Sequence, residues 1–161
     1  MTIKVGDRLP QVQFRVMTED GVQVKTTDDI FKGKKVALFA VPGAYTGTCH
    51  KMHIPSIFLN AYAIKDKGVD TIAIVAVNDA FVMNAWKRDT DQRNEAIFLA
   101  DGNADFAKAI GLDLDASGLG LGIRSHRYSM VVEDGVVTKL NVEPNPGAVE
   151  VSGGDTLLGQ L

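Results

Sequence analysis

One cysteine occurs in 161 residues, at position 49. No disulfide can therefore close within the chain, and no CxxC pair is present for exchange chemistry that needs two neighbouring sulfurs. Such usage suits a reducing compartment, and the cytoplasm is the expected location. An excess of positive charge is also missing. Lys and Arg number 17 against 20 Asp and Glu, a net charge of −3, with no basic run, so no nucleic-acid partner is expected. Long apolar stretches are absent too. VALFAVPGA and TIAIVAV fall short of the roughly 20 residues that cross a bilayer as a helix, so no membrane association is expected. The opening MTIKVGDRLPQV lacks the charged-then-apolar build of a signal peptide. Only three histidines occur, and no cluster with metal-ligand spacing includes them, so no metal is expected. Walker A, H-E-x-x-H and G-x-S-x-G patterns are missing. The glycines at 118, 120 and 122 lack both dinucleotide-loop spacing and a following helix, which leaves a loop leading toward the next strand and no expected cofactor.

What is present is the composition of a soluble globular protein, 45% hydrophobic and 23% charged. No repeat, linker or low-complexity tract divides residues 1–161, so a single domain is expected. Val12, Phe14 and Val16 alternate with polar residues before a Glu19-Asp20-Gly21 turn, which predicts an N-terminal hairpin. DDIFKGKK reads as a short helical turn ending at Gly33. KVALFAV at 35–41 and DTIAIVAV at 70–77 are continuous apolar runs of the kind that fill a strand covered on both faces. Between them, Ile54, Ile57, Phe58, Ala61 and Ile64 recur at helical spacing over about 48–67. Pro55 should bend that helix or begin its second part. Asn78-Asp79 can cap a helix burying Phe81, Val82, Ala85 and Trp86. AIFLA is a further strand, Phe106 and Ile110 mark a short helix closed by Gly111, and Asp134-Gly135 joins two strands as a hairpin at 127–133 and 136–142. GDTLLGQL is the expected last helix. Strands alternating with helices predict an α/β sheet flanked by helices, with antiparallel hairpins at its margins. A thioredoxin-like fold fits this order, although the order alone does not select it.

A free cysteine is ordinarily a small buried hydrophobe. Three features argue that Cys49 is more than that. The loop Pro42-Gly43-Ala44 places it beyond the carboxyl end of a buried strand, where open α/β sheets keep their sites. It falls in the first turn of the expected helix, where free N–H groups and the helix dipole favour a thiolate. Thr46 and Thr48 give it hydroxyl neighbours. A reactive thiol follows, but no particular reaction. Among the histidines, His53 is too close in sequence to serve as a well-placed base and is expected to be structural or supporting. His50 and His126 are expected at the surface or in structural positions.

The segment Pro42-Gly43-Ala44-Tyr45-Thr46-Gly47-Thr48-Cys49 resembles the active-site loop of peroxiredoxins: Pro, three residues, Thr or Ser, two residues, Cys. KMHIPSIF, IAIVAVNDAFVMNAW, RYSMVVEDGVV and LNVEPNPG narrow the resemblance to the peroxiredoxin 5, or type II, subfamily over nearly the whole chain. Gly47 departs from it, since the subfamily often has proline there. The resemblance implies a thioredoxin-like fold with a central mixed sheet. It implies that Cys49 attacks a hydroperoxide and becomes a sulfenic acid, that Thr46 holds the peroxide oxygen, and that Pro42 shields the thiolate. It also implies that Arg127 reaches the site from its strand, where it shares a face with Ser129 and Val131. Thr48 and His53 are placed among the substrate-binding residues, with backbone N–H groups near 48 and 49 completing an oxygen cradle. Tyr45 and residues 78–81 are candidate contacts of a homodimer. Val151 and Ser152 stand where many relatives carry a resolving cysteine. A one-cysteine cycle with an external thiol is therefore implied, glutathione with glutaredoxin or else thioredoxin. The alternative is a slowly oxidised redox sensor with the same thiol.

A lowered thiol pKa would not by itself make a fast peroxidase. A thiol moved from about 8.5 to about 6 rises from roughly 3% to roughly 90% thiolate at pH 7. Its intrinsic nucleophilicity falls by about tenfold over the same shift if the Brønsted slope of thiol exchange applies, so the net gain is about threefold. The remainder must come from groups that bind the peroxide more tightly as its O–O bond stretches. That requirement explains why an arginine, a hydroxyl and fixed amides belong beside the sulfur.

Overall fold

The computed structural model describes residues 1–161. Its elements in chain order are β1 (Gln13–Thr18), β2 (Gly21–Thr26), α1 (Thr27–Phe31), β3 (Lys35–Ala40), a π-helical turn (Cys49–His53), α2 (Ile54–Asp66), β4 (Thr71–Ala76), α3 (Ala80–Thr90), β5 (Ala96–Ala100), α4 (Asp105–Ala109), β6 (Asp113–Asp115), β7 (Ile123–Ser125), β8 (Tyr128–Glu133), β9 (Val136–Val142) and α5 (Gly154–Gly159). Seven strands form one mixed sheet in the order β2-β1-β5-β4-β3-β8-β9. The pairs β3–β4 and β4–β5 are parallel, whereas β1–β2, β1–β5, β3–β8 and β8–β9 are antiparallel. This is the thioredoxin-like architecture expected from the sequence, N-terminal hairpin included.

The unbroken apolar run of β3 has a direct structural cause. Ala37, Phe39 and Val41 join one buried cluster with Ile57, Ile72, Ile74, Trp86 and Leu157, on the face covered by α2, α3 and α5. Val36, Leu38 and Ala40 join a second cluster with Phe14, Phe31, Leu99, Phe106 and Met130 on the opposite face. A strand buried on both faces has no polar side to show in its sequence. The hairpin signal at Asp134-Gly135 is met by positive φ at both residues, 48° and 80°, as a tight two-residue turn needs.

One expectation is corrected, and two short strands are added. Phe81 is not a core residue but is 70% exposed, while α3 buries Ala80, Met83 and Trp86. The apolar stripe begins one residue earlier than Phe81 suggested, at the small Ala80 just after the Asp79 cap, and Val82 and Ala85 lie only half-buried at its margin. The glycine-rich stretch 118–122 is a loop leading to the next strand, as expected, with a 3-10 turn at Ser117–Leu119, and it joins two short antiparallel strands, β6 and β7. These strands are three residues long and too polar to register as strands by pattern.

The sheet order places the site. Because β8 runs antiparallel to β3, with Ala40 opposite Tyr128, the start of β8 lies beside the end of β3. Arg127, one residue before β8, therefore enters at the same edge as Pro42 and the loop leading to Cys49.

Candidate active site

Neighbouring elements hold the loop after β3. Asn78 Oδ1, just past β4, accepts the Ala44 N–H at 2.9 Å. Arg124 donates from Nη1 to the Val77 carbonyl at 3.1 Å. A Cβ on Gly43 would lie 2.8 Å from that same Nη1, so any larger residue there would have to push the Arg124 side chain aside. Tyr45 takes a φ of 62°, stacks on His50 and donates its hydroxyl to Asp89 Oδ2 at 2.6 Å. His50 in turn accepts the Trp86 indole N–H at 3.0 Å, which makes it structural, as expected.

The helical run begins at Gly47, and His50 N–H donates to the Thr46 carbonyl at 3.0 Å. The N–H groups of 47–49 therefore stand at the open first turn of the helix. Between Cys49 and His53 the winding widens, and Ile54 N–H closes on the Cys49 carbonyl five residues back. Pro55 follows as the second residue of α2 and lacks the N–H that an ordinary α-turn would use there. A π-turn of this kind is a recurrent device at functional sites. Here it precedes the proline that the sequence marked as a break.

Cys49 is almost fully buried at 1% exposure, but its sulfur does not end in hydrocarbon. Thr46 Oγ1 lies 2.9 Å from Sγ, and Arg127 Nη2 donates to it at 2.9 Å. Arg127 is itself 1% exposed and uses two further donors to fix its orientation. Nε donates to the Pro146 carbonyl at 2.9 Å and Nη1 to His53 Nδ1 at 2.8 Å. Thr46 Oγ1 also lies 2.8 Å from the Gly43 carbonyl. A hydroxyl has one proton, so it donates to either the sulfur or the carbonyl at any instant and keeps lone pairs free for an incoming donor.

His53 is wholly buried. Its Nδ1 must accept, since a guanidinium only donates, and its Nε2 therefore carries the proton given to the Ser152 carbonyl at 2.8 Å. Burial, and then the neighbouring Arg127 charge, pull its pKa from the usual 6.5 down to about 4, against the opposing pull of the Ser152 carbonyl and Glu143. Both ring nitrogens are thus occupied by protein, and His53 offers none to a substrate. Its place is behind Arg127, which corrects its grouping with the substrate-binding residues. Thr48 likewise turns its hydroxyl to the Gly147 carbonyl, at 2.8 Å. Pro42 lies half-buried at the start of the loop.

Some participants were invisible in the sequence. The segment after β9 supplies the carbonyls of Pro146, Gly147 and Ser152, and backbone acceptors leave no mark on residue identity. Glu143 is 2% exposed and receives on Oε2 the N–H groups of Glu150, Val151 and Ser152, at 2.9, 2.9 and 2.8 Å, and the Ser152 hydroxyl at 2.6 Å. Burial pushes its pKa up, but these hydrogen bonds outweigh burial and hold it below the usual carboxylate value.

The Redoxin family model matches residues 4–158. Peroxiredoxin-2C of Oryza sativa is 42% identical, with 99% of this chain and 98% of the relative aligned. The hybrid peroxiredoxin hyPrx5 of Haemophilus influenzae is 44% identical over 100% of this chain and 67% of its own length. Among solved structures, reduced Prx3 of Vibrio vulnificus in complex with hydrogen peroxide superposes with a TM-score of 0.93 at 46% identity, covering 99% of both chains. A buried thiol met by a threonine hydroxyl and a guanidinium, on this fold and with these relatives, places the chain in the peroxiredoxin family of thiol peroxidases, in its peroxiredoxin 5 or type II branch, without a resolving cysteine.

Proposed function

We propose that the protein reduces hydrogen peroxide and small alkyl hydroperoxides by a one-cysteine cycle. The Cys49 thiolate attacks one peroxide oxygen, an S–O bond forms and the O–O bond breaks. Sulfur is oxidised by two electrons to sulfenic acid, and the departing oxygen takes a proton and leaves as water or alcohol. Arg127 stabilises the thiolate before reaction and the spreading negative charge during it. Thr46 donates to Gly43, accepts the peroxide O–H and so orients the bond in line with the sulfur. The open N–H groups of the first helical turn complete the cradle, and Pro42 closes its edge. The observation that carries this reading is the 2.9 Å approach of Arg127 Nη2 to Cys49 Sγ, with both residues only 1% exposed.

Sulfenic acid returns to thiol through two external thiols. The first displaces water to give a mixed disulfide, and the second releases Cys49. Glutathione with glutaredoxin is our reading of that source, with thioredoxin as its competitor. Val151, 36% exposed, and the buried Ser152 bring no second sulfur to the site. Tyr45 in the loop and Phe81 at the start of α3, 43% and 70% exposed, support a homodimer that would cover them. A single thiol suits a reducing compartment such as the cytoplasm.

The test is stopped-flow oxidation by hydrogen peroxide, followed by turnover with each reductant in parallel. Oxidation orders of magnitude faster than free cysteine, abolished in Cys49→Ser, is expected. A thiol reacting no faster than free cysteine would overturn the reading.

A further inference from the structure

Two buried charges flank this site without pairing with each other. Arg127 and Glu143 are both nearly inaccessible, yet the ion pairs of the chain are Lys4–Asp7, Lys35–Glu133 and Lys87–Asp91. Burying a carboxylate without a counter-charge is costly, and four hydrogen-bond donors offset that cost here. All four fall on Oε2, while Oε1 has no partner. Three of them are the consecutive amides of residues 150–152, the kind of concavity that elsewhere holds anions. Residues 143–153 form no helix or strand of their own. The carboxylate therefore holds the Ser152 backbone from one side, while on the other the Gly154 N–H donates to Ser56 Oγ at 3.1 Å.

From the Ser152 carbonyl a line of hydrogen bonds runs to the sulfur and also closes on itself. Ser152 O accepts from His53 Nε2, and His53 Nδ1 accepts from Arg127 Nη1. Arg127 Nη2 donates to Cys49 Sγ, and the Arg127 carbonyl accepts the Glu143 N–H at 2.9 Å. Without a fixed acceptor opposite Nε2, the imidazole proton could move to Nδ1. An N–H would then face Nη1, and the guanidinium would have to swing. Direct pairing of Glu143 with Arg127 would fix the arginine equally well, but would neutralise the charge the thiolate needs. A neutral imidazole and a carbonyl between them transmit orientation and leave that charge to the sulfur.

We infer that Glu143 is a positioning residue for the reactive thiol: by pinning the Ser152 carbonyl it fixes the His53 tautomer and so aims Arg127 at Cys49. The inference rests on the reading of Cys49 as the peroxide-attacking thiolate.

Glu143→Gln keeps the side chain's size and one acceptor oxygen but removes its charge. Nitrogen-15 NMR of the full chain reads the His53 tautomer, and stopped-flow reads Cys49 oxidation. In the parent the proton sits on Nε2 alone. In the variant we expect it to be shared with Nδ1 and oxidation to slow by at least about tenfold, the scale on which a displaced catalytic group costs rate. A folded variant in which either readout stays at the parent value overturns the inference. Should Glu143→Gln not fold, Ser152→Ala removes one donor and keeps the backbone. It is expected to move both readouts in the same direction by a smaller factor, and failure of either to move counts equally against the inference. The two readings fail differently. A parent that oxidises no faster than free cysteine defeats the peroxidase, whereas a fast parent with an indifferent Glu143→Gln defeats only the role of Glu143.

Discussion

Cys49 and Arg127 are 78 residues apart in sequence, yet the sulfur of one and Nη2 of the other are 2.9 Å apart. The pair is made by topology: β8 returns antiparallel beside β3, so the residue before one strand meets the loop after the other.

Arg127→Lys should slow peroxide oxidation of Cys49 by about 10²–10³-fold, the usual loss for one preorganised donor to a developing charge. A lysine ammonium cannot reach Pro146, His53 and Cys49 together, as the planar fork does. Stopped-flow rates near the parent value would show that the guanidinium geometry is not used.

Thr46→Val and Thr46→Ser separate shape from hydrogen bonding. Valine keeps the volume but loses the group that lies near both Gly43 O and Cys49 Sγ, and about a hundredfold loss of oxidation rate is expected. Serine keeps the hydroxyl and should stay within about tenfold of the parent. Equal losses in the two variants would assign Thr46 a packing role only.

His53 makes stability depend on pH in a defined direction. Its folded pKa of about 4 lies below the ordinary 6.5, so the unfolded chain takes up the proton first. The contribution is complete above about pH 6.5 and is lost as pH falls toward 4, to a limit of roughly 3 kcal/mol. NMR titration should find the His53 ring neutral at pH 5, with urea midpoints falling over the same interval. A ring titrating near 6.5 would contradict the buried hydrogen-bonded placement.

Gly47→Pro should stabilise the fold by about 0.5–1 kcal/mol, seen as a higher urea midpoint. Gly47 opens the helical run, and a Cβ there would meet nothing within 4 Å. Proline suits the first helical position because the N–H it lacks has no helical acceptor there. A fall in stability would mean that the Gly47 amide or its φ is needed as it stands.

Much of this could be read in the sequence wherever a residue's identity reflects its own surroundings. The continuous apolar runs of β3 and β4 record burial on both faces, and Asp134-Gly135 records a turn that needs positive φ twice. Cys49, Thr46 and Arg127 were legible because the family pattern names them. Phe81 misled because a large aromatic beside a cap reads as core, although the buried stripe of α3 runs through Ala80, Met83 and Trp86. The π-turn left only Pro55 as a trace, since the wider winding depends on which carbonyl Ile54 selects. Glu143 lies within LNVEPNPG, a stretch that carries the family likeness, but nothing in that stretch marked it for a role. A lone acid after a strand looks solvated, and three of its four partners are backbone amides, which leave almost no mark on residue identity.

The reach of the C-terminal segment has a consequence for how the protein folds. His53 waits for the Ser152 carbonyl and Thr48 for that of Gly147, each 99 positions further along. Closing so long a span costs loop entropy before any contact rewards it, so these bonds form late. A folding intermediate in which residues 143–154 have not yet docked leaves His53 without its acceptor and the Arg127 fork without a fixed partner.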